Sequence, residues 1–259
     1  MLKDKNVRQK KFPFFLILIL LSGIWLPAAN QSSEKTISIF TIGDSTMANK
    51  KPDVYPETGW CQVLGQYFKN GVTVHNHAVN GRSTKSFIDE GRWQEVLDSL
   101  NLGDYVFIQF GHNDQKENDP SRYTSPFGTY SANLEKYVVE SRAKGATPVL
   151  FTPIVRRKFG ENGILTDTHG DYPDAMRQVA RKLNVPLVDM QKMTKEWINY
   201  LGERTSKDIY LWTEPDERFP EGRKDDTHLS VEGANSMARI ALTGSTDLGL
   251  GFTKWIEFP

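Results

Sequence analysis

Four short polar segments contain residue types that together can carry out acyl transfer. In chain order they are Gly43-Asp44-Ser45-Thr46, Asn80-Gly81-Arg82-Ser83, Gly111-His112-Asn113-Asp114 and Asp225-Asp226-Thr227-His228. Ser45 offers a hydroxyl nucleophile, His228 a general base and Asp225 a carboxylate that can orient the imidazole ring. Gly81 and Asn113 offer N–H donors for the charge that develops on a carbonyl oxygen. Each segment alone is also typical of an ordinary turn, so the prediction rests on their combination and order.

Two neighbouring carboxylates compete for the role of orienting the imidazole of His228. In the pattern Asp-x-x-His, the side chain of Asp225 can reach the ring across one turn of a loop or of a helix start. Asp226 lies two residues before the histidine and is less well placed to face the same ring. We therefore expect Asp225 in the catalytic group and Asp226 as a solvated neighbour or a partner of local backbone.

Runs of β-branched and aromatic residues alternate with stretches of helical spacing along most of the chain. The predicted strands are residues 36–42, 72–78, 105–110, 149–152 and 187–189. The predicted helices are residues 60–68, 93–100, 130–144, 172–183, 190–201 and 231–242. This alternation predicts one α/β domain in three layers (α/β/α), with a five-stranded parallel sheet covered by helices on both faces. The first three polar segments follow predicted strands, so they would meet at the carboxyl edge of that sheet.

Two long connections remain between the predicted elements. They are residues 115–127, after the third polar segment, and residues 202–226, before the fourth. Connections of this length are usually functional or flexible. We expect both to form walls of a substrate cleft, and plain surface loops are the alternative.

The polar segments resemble the conserved blocks of the SGNH hydrolases, also called GDSL-type esterases, and the resemblance covers residues 37–242. Within that superfamily the chain looks most like the rhamnogalacturonan acetylesterases, which remove acetyl groups from pectin. The motifs that carry this likeness are Thr-Ile-Gly-Asp-Ser-Thr-Met (41–47), Ala-Val-Asn-Gly-Arg-Ser-Thr-Lys-Ser-Phe (78–87), Gln-Phe-Gly-His-Asn-Asp (109–114), Thr-Pro-Ile-Val-Arg-Arg-Lys-Phe (152–159) and Lys-Asp-Asp-Thr-His-Leu-Ser (224–230).

The resemblance implies a flavodoxin-like SGNH hydrolase fold and a set of roles for individual residues. Ser45 would be the nucleophile, with Asp225 and His228 as its partners. The oxyanion hole would be formed by the backbone N–H groups of Ser45 and Gly81 and by the side-chain amide of Asn113. Many relatives have a glycine or an alanine immediately before the glycine of the second block, and the asparagine found there in this chain leaves Gly81 in place.

Three basic residues, Arg156, Arg157 and Lys158, follow the fourth predicted strand and are candidate substrate-binding residues. Arginine binds carboxylates through two parallel hydrogen bonds, so this cluster would suit a galacturonate-containing polymer. A solvated loop is the alternative. With the resemblance, the cluster predicts a secreted carbohydrate esterase that removes O-acetyl groups from pectic rhamnogalacturonan through a Ser-His-Asp acyl-enzyme mechanism.

Other functions stay open at the level of sequence. They are an acetylesterase for xylan, another polysaccharide or a small ester, a GDSL lipase or thioesterase with a long apolar groove, and a carbohydrate-binding protein without turnover. A zinc hydrolase is a further alternative, since His75 and His77 share a strand face and His112 lies close to Asp114. Because His75 and His77 have no carboxylate nearby in sequence, we expect structural histidines, no metal and no cofactor.

The first 29 residues have the features of a secretory signal, namely a basic start, an apolar run of 15 residues from Phe12 to Leu26, and small residues at its end. The predicted domains are a signal peptide at residues 1–29 and the esterase domain at residues 30–259, in a secreted or periplasmic protein. A retained membrane anchor is the alternative, although a span needs roughly 20 residues. The remaining chain would be mildly negative, so we expect an acetylated polysaccharide as partner, no nucleic acid, and no membrane beyond the signal peptide.

The composition supports a large core without disulfides. The chain has 259 residues, of which 38% are hydrophobic. Cys61 is the only cysteine, so no disulfide can form within the chain. Its apolar neighbours predict a buried residue on a helix and not a reactive thiol.

Overall fold

A sheet of five parallel strands carries the polar segments in the computed structural model of the chain, which describes residues 36–258. Its strands are β1 (Ile37–Gly43), β2 (Val72–Asn76), β3 (Tyr105–Gln109), β4 (Thr147–Phe151) and β5 (Leu187–Val188). They are arranged in the order β2-β1-β3-β4-β5, which is the flavodoxin-like order. The predicted five-stranded parallel sheet is therefore confirmed. The predicted signal peptide lies outside the described residues.

Helices cover both faces of the sheet. Within residues 36–258 they are α1 (Thr84–Asp89), α2 (Arg92–Ser99), α3 (Ser131–Ala143), α4 (Tyr172–Leu183), α5 (Met190–Thr205) and α6 (Val231–Asp247). Successive strand residues face opposite layers. Ile39 and Phe107 pack in one core with α5 and α6, whereas Phe40 and Val106 pack in a second core with α1 to α4. The predicted three layers are confirmed, and none of these helices is both long and apolar enough to cross a membrane.

The predicted helix at residues 60–68 is wrong. This stretch forms turns followed by a short 3₁₀ helix, Leu64–Tyr67, and Cys61 is buried in one of the turns. The helical spacing arises because Trp60 and the 3₁₀ helix both face the core. The N–H group of Trp60 donates to the carbonyl of Thr46 at 2.9 Å, a tertiary contact that replaces a helical hydrogen bond.

A two-stranded antiparallel hairpin lies outside the five-stranded sheet. Strand β6 (Tyr210–Thr213) pairs with β7 (Arg223–Leu229), so most of the connection at residues 202–226 is not an irregular loop. The charged sequence of β7 has a low β-propensity, and its strand conformation depends on this pairing. The hairpin carries the fourth polar segment to the carboxyl edge of the sheet.

Candidate active site

Ser45 lies in a tight turn directly after β1. The preceding Gly43 has no room for a side chain, because a Cβ atom there would lie 2.6 Å from the carbonyl oxygen of Gln109. The carboxylate of Asp44 accepts hydrogen bonds from the backbone N–H and the hydroxyl of Thr46, at 2.9 and 2.8 Å. These contacts hold Ser45 at the carboxyl edge of the sheet, where the residue is 9% exposed.

His228 connects this hydroxyl to a carboxylate. Its Nε2 atom lies 2.9 Å from Oγ of Ser45, and its Nδ1 atom lies 2.7 Å from Oδ2 of Asp225. The other carboxylate oxygen of Asp225 accepts the backbone N–H groups of Thr227 and His228 at 2.8 and 2.9 Å. Partial burial raises the pKa of Asp225, but the hydrogen bonds and the imidazole lower it by more than burial raises it. The pKa of Asp225 therefore lies well below its usual value. The three side chains form the hydrogen-bonded series that acyl transfer needs.

An irregularity in the hairpin allows Asp225 and His228 to approach each other. The neighbouring β6 residues Tyr210 and Leu211 pair with Leu229 and Asp225 of β7. Residues 226–228 of β7 therefore have no paired residue on β6. Extra residues of this kind bend a strand locally. Asp225 closes the bend, because its carboxylate accepts backbone N–H groups within it. The Asp-x-x-His spacing is therefore realised in a bulged strand and not in a loop or a helix start.

Three residues that carry candidate N–H donors, Ser45, Gly81 and Asn113, line one cavity. Within residues 36–258, the backbone N–H groups of Ser45 and Gly81 have no hydrogen-bond acceptor. Gly81 has a φ of +77°, a left-handed conformation that glycine adopts without strain. The amide nitrogen of Asn113 donates to the carbonyl of Arg82 at 3.1 Å, which leaves its second N–H group available. This catalytic cavity has a volume of about 520 Å³ and also contains His228.

Asp114 ties the third polar segment to the second. Its Oδ1 atom accepts the backbone N–H and the hydroxyl of Thr84 at 3.0 and 2.6 Å, and the hydroxyl of Thr124 at 2.9 Å. Its Oδ2 atom is buried and has no hydrogen-bond partner in the described part of the chain. Burial, opposed only in part by these hydrogen bonds, raises the pKa of Asp114 to about 7. The carboxyl group of Asp114 therefore stays protonated at pH values at which an exposed aspartate is ionised.

His112 supports the turn that contains Ser45 from its buried side. Its Nδ1 atom lies 3.0 Å from Oδ2 of Asp44. Burial, together with the nearby charges of Arg156 and His228, lowers the pKa of His112 despite the opposing effect of Asp44, so the ring is neutral at pH 7 and Nδ1–H donates to the carboxylate. His75 and His77 both stack on Phe40, with ring centroids 4.7 and 5.8 Å apart. Among residues 36–258, no group of three or more His, Cys, Asp or Glu side chains is placed to hold a metal ion.

The structure separates the three basic residues that follow β4. Arg156 lines the catalytic cavity, and its guanidinium donates to two backbone carbonyls at 3.1 and 3.3 Å. Arg157 is 4% exposed, lies outside the cavity lining and pairs with Asp226 at 2.9 Å. Asp226 also accepts the indole N–H of Trp212 at 2.8 Å, so it faces Arg157 and not the imidazole. Lys158 is exposed and does not line the cavity, which leaves Arg156 as the one of the three that can meet a ligand there.

The cavity contains further side chains that the sequence patterns did not mark as site residues. They are Glu57, Asn80, Lys116 and Thr227. Glu57 pairs with Lys50 at 2.8 Å and with Arg223 at 2.9 Å. No local motif marks Glu57 as a site residue. One of its ion-pair partners, Arg223, lies far away in sequence, on the hairpin. Lys116 belongs to the connection at residues 115–127, and its place in the lining agrees with the expected cleft wall.

Comparison with known proteins identifies the family. The sequence profile of the GDSL-like lipase/acylhydrolase family matches residues 41–235. The chain belongs to this family. The GDSL-family chain is therefore a hydrolase of acyl esters, and the resemblance to GDSL-type esterases is confirmed.

The individual relatives include two proteins named rhamnogalacturonan acetylesterase. Rhamnogalacturonan acetylesterase RhgT of Bacillus subtilis (strain 168) is 43% identical over 219 residues, covering 84% of this chain and 93% of its own. A rhamnogalacturonan acetylesterase of Emericella nidulans is 30% identical, covering 78% of this chain and 81% of its own. The predicted similarity to this group of esterases is confirmed.

Solved structures show the same fold. The structure of the Bacillus subtilis protein YxiM has a TM-score of 0.70 at 25% identity, and the match covers 83% of this chain. This chain spans 58% of that longer protein. An acetylxylan esterase from Geobacillus stearothermophilus has a TM-score of 0.60 at 21% identity, covering 86% of this chain and 97% of its own, and this likeness concerns the fold alone.

Proposed function

We propose that this GDSL-family hydrolase is a carbohydrate O-acetylesterase that removes acetyl groups from pectic rhamnogalacturonan. The observation that carries the mechanism is the hydrogen-bonded series from Ser45 through His228 to Asp225, placed beside a cavity with three N–H donors. The substrate class is supported by the two relatives named rhamnogalacturonan acetylesterase, at 43% and 30% identity.

The first half of the reaction transfers the acetyl group to the protein. Oγ of Ser45 attacks the acetyl carbonyl carbon while Nε2 of His228 takes the hydroxyl proton. Asp225 holds the imidazole in position and stabilises its positive charge. The N–H groups of Ser45, Gly81 and Asn113 meet the charge on the carbonyl oxygen. The bond from the acetyl carbon to the sugar oxygen then breaks, and His228 returns the proton to the leaving sugar hydroxyl.

The second half releases acetate. A water molecule attacks the acetyl-Ser45 carbonyl while His228 again takes a proton. The tetrahedral intermediate collapses, the bond to Oγ of Ser45 breaks, and the serine regains its proton from His228. Each cycle consumes one water molecule and yields one free sugar hydroxyl and one acetic acid molecule, which ionises to acetate and a proton.

The character of the cavity supports a sugar substrate over a long acyl chain. Its lining is dominated by polar and charged side chains, among them Glu57, Lys116 and Arg156. A lipase or thioesterase would need an extended apolar groove to desolvate its acyl chain. Within the described residues, Arg156 has no carboxylate ion-pair partner, so its charge is available to attract the carboxylate of a uronate residue.

We also propose that the enzyme acts outside the cytoplasm. The sequence at residues 1–29 has the features of a secretory signal. A polymeric pectin is too large to enter a cell intact, so an esterase for it has to reach the substrate outside.

Acetate release from acetylated rhamnogalacturonan and acetylated xylan, measured side by side, tests the proposed function. We expect a higher kcat/KM on the pectic polymer and no release by the Ser45→Ala protein. A series of aryl esters from acetate to decanoate should show activity that falls with chain length. A preference for xylan or for the long esters would overturn the pectin assignment, and acetate release by a folded Ser45→Ala protein would overturn the serine mechanism.

A further inference from the structure

A second cavity adjoins the catalytic cavity at Asn80 and Gly81, which line both. This side cavity has a volume of about 410 Å³ and is further lined by Arg82, Lys85, Ser86, Asp89, Glu90, Ser121 and Arg122. The two cavities are therefore adjacent, with Gly81 between them. A sugar chain whose acetylated residue sits at Ser45 has room for its neighbouring residue in the side cavity.

Arg122 lies at the border between the two cavities. Its Nη1 atom is 3.4 Å from the point where a Cβ atom on Gly81 would stand. Its ion pair with Asp119, at 2.7 Å, joins two side chains that are each about one-third exposed. Exposed pairs of this kind contribute little free energy, so Arg122 can exchange this partner for the carboxylate of a ligand at small cost.

Lys116 is the second cation on this side of the catalytic cavity. Two other cations near the rim, Lys50 and Arg223, share the carboxylate of Glu57, whereas Lys116 forms no ion pair with any residue of the described range. Partial burial and the nearby charges of Arg122 and Arg156 lower its pKa. Within the described range, Lys116 and Arg156 thus bring positive charge without a carboxylate partner to the cavity, and Arg122 lies near enough to Lys116 to affect its pKa.

We propose that Lys116 and Arg122 form an anion subsite, which binds the carboxylate of a uronate residue in the bound sugar chain. The inference rests on the proposed function for the polymer, but the subsite itself is defined by its preference for a carboxylate. Lys85 and Arg82 extend the wall of the side cavity, where they pair with Asp89 and Glu90 at 2.6 and 3.0 Å.

Competitive inhibition tests the subsite without an acetylated polymer. The full-length protein hydrolyses a small neutral aryl acetate in the presence of unacetylated galacturonate oligomers or of the same oligomers with their carboxyl groups reduced to alcohols. We expect the acidic oligomer to inhibit with a Ki about 3- to 10-fold lower than the reduced one. Raising the salt concentration should shrink this difference, because exposed charge pairs are screened.

Substitutions assign the preference to the two cations. Lys116→Gln and Arg122→Gln should each raise the Ki of the acidic oligomer about 3- to 10-fold and leave the Ki of the reduced oligomer unchanged. Lys116→Arg should retain the preference. The control is Lys144→Gln, an exposed lysine that caps the C-terminal end of α3, which should change neither Ki.

The outcomes separate the subsite from the proposed function. Equal Ki values for the two oligomers in the unsubstituted protein, or equal changes for both in the variants, would overturn the subsite whatever the polymer substrate is. Failure to release acetate from acetylated rhamnogalacturonan, with the carboxylate preference intact, would overturn the proposed function alone. Calorimetric titration of the Ser45→Ala protein with the same oligomers gives the comparison without any turnover.

Discussion

Nε2 of His228 lies 2.9 Å from Oγ of Ser45, although 183 residues separate the two in the chain. Ser45 is fixed by the turn after β1, which is a central strand of the five-stranded sheet. His228 is fixed by the bulge in β7, which belongs to the separate hairpin. The proposed proton-transfer pair is therefore assembled by tertiary structure.

Ser45→Ala and His228→Ala should each lower kcat by at least roughly 10³-fold, and the double variant should be hardly worse than either one. The reason is that the nucleophile and its base act as one unit. Steady-state kinetics on an aryl acetate measure the effect, and thermal unfolding checks that each variant is folded. Effects that multiply in the double variant would show that the two groups act independently.

Asp225→Asn and Asp226→Asn should damage different properties. Asp225→Asn should lower kcat roughly 10²- to 10⁴-fold, because the imidazole loses the carboxylate that orients it and stabilises its charge. Asp226→Asn should keep most of kcat but lower the free energy of unfolding by about 1–3 kcal/mol, because buried Arg157 loses the nearer of its two charged partners. Kinetics and urea unfolding on both proteins make the comparison, and a larger loss of kcat in Asp226→Asn would reverse the assignment.

Asn113→Ala should lower kcat roughly 10²- to 10³-fold with little change in KM. The amide is placed to meet charge that exists only in the transition state, so substrate binding depends on it weakly. Measurement of kcat and KM on one neutral acetate ester separates the two effects. A raised KM at unchanged kcat would mean that the amide binds the ground-state substrate.

Asp114 should make the folded protein lose stability as the pH rises from about 4 to about 7. Below its usual pKa of 3.8 the group is protonated in both states, whereas between 3.8 and about 7 only the folded protein keeps the proton. The stabilising contribution of that proton is thus present at low pH and is lost by up to roughly 1.4 kcal/mol per pH unit as the pH approaches 7.

Urea unfolding of the unsubstituted protein and of Asp114→Asn between pH 4.5 and 8 checks this sign. The free energy of unfolding of the unsubstituted protein, minus that of the variant, should fall across the lower part of this range and level off above about pH 7. A difference that is constant with pH would mean that Asp114 is ionised in the folded protein throughout.

The sheet and the parts of the site attached to it are predictable because local patterns specify both. Ser45 and Asn113 each follow a buried apolar strand, Gly81 follows the partly exposed edge strand β2, and the carboxyl ends of parallel strands meet at one edge. The strand bounds agree with the structure to within two residues. Order along the chain and strand polarity are enough to place these three groups together.

Contacts that depend on the tertiary structure were not predictable in this way. The hairpin was missed because the sequence of β7 is charged and becomes a strand only through its partner. Arg156 and Arg157 are adjacent and chemically alike, yet one lines the cavity and the other is buried against Asp226. Glu57 forms ion pairs with Lys50 and with Arg223, and Arg223 belongs to the hairpin.

His228 lies on the hairpin, so its distance from Ser45 depends on how the hairpin sits against the sheet. Ser45, Gly81 and Asn113 lie in the turns that follow strands of the sheet, whereas His228 and Asp225 belong to β7. An opening of the hairpin alone would separate His228 from Ser45 while leaving in place the part of the cavity that follows the sheet strands. Substitutions beneath β6 and β7, far from any ligand, can therefore slow the reaction by populating a state that binds but does not turn over.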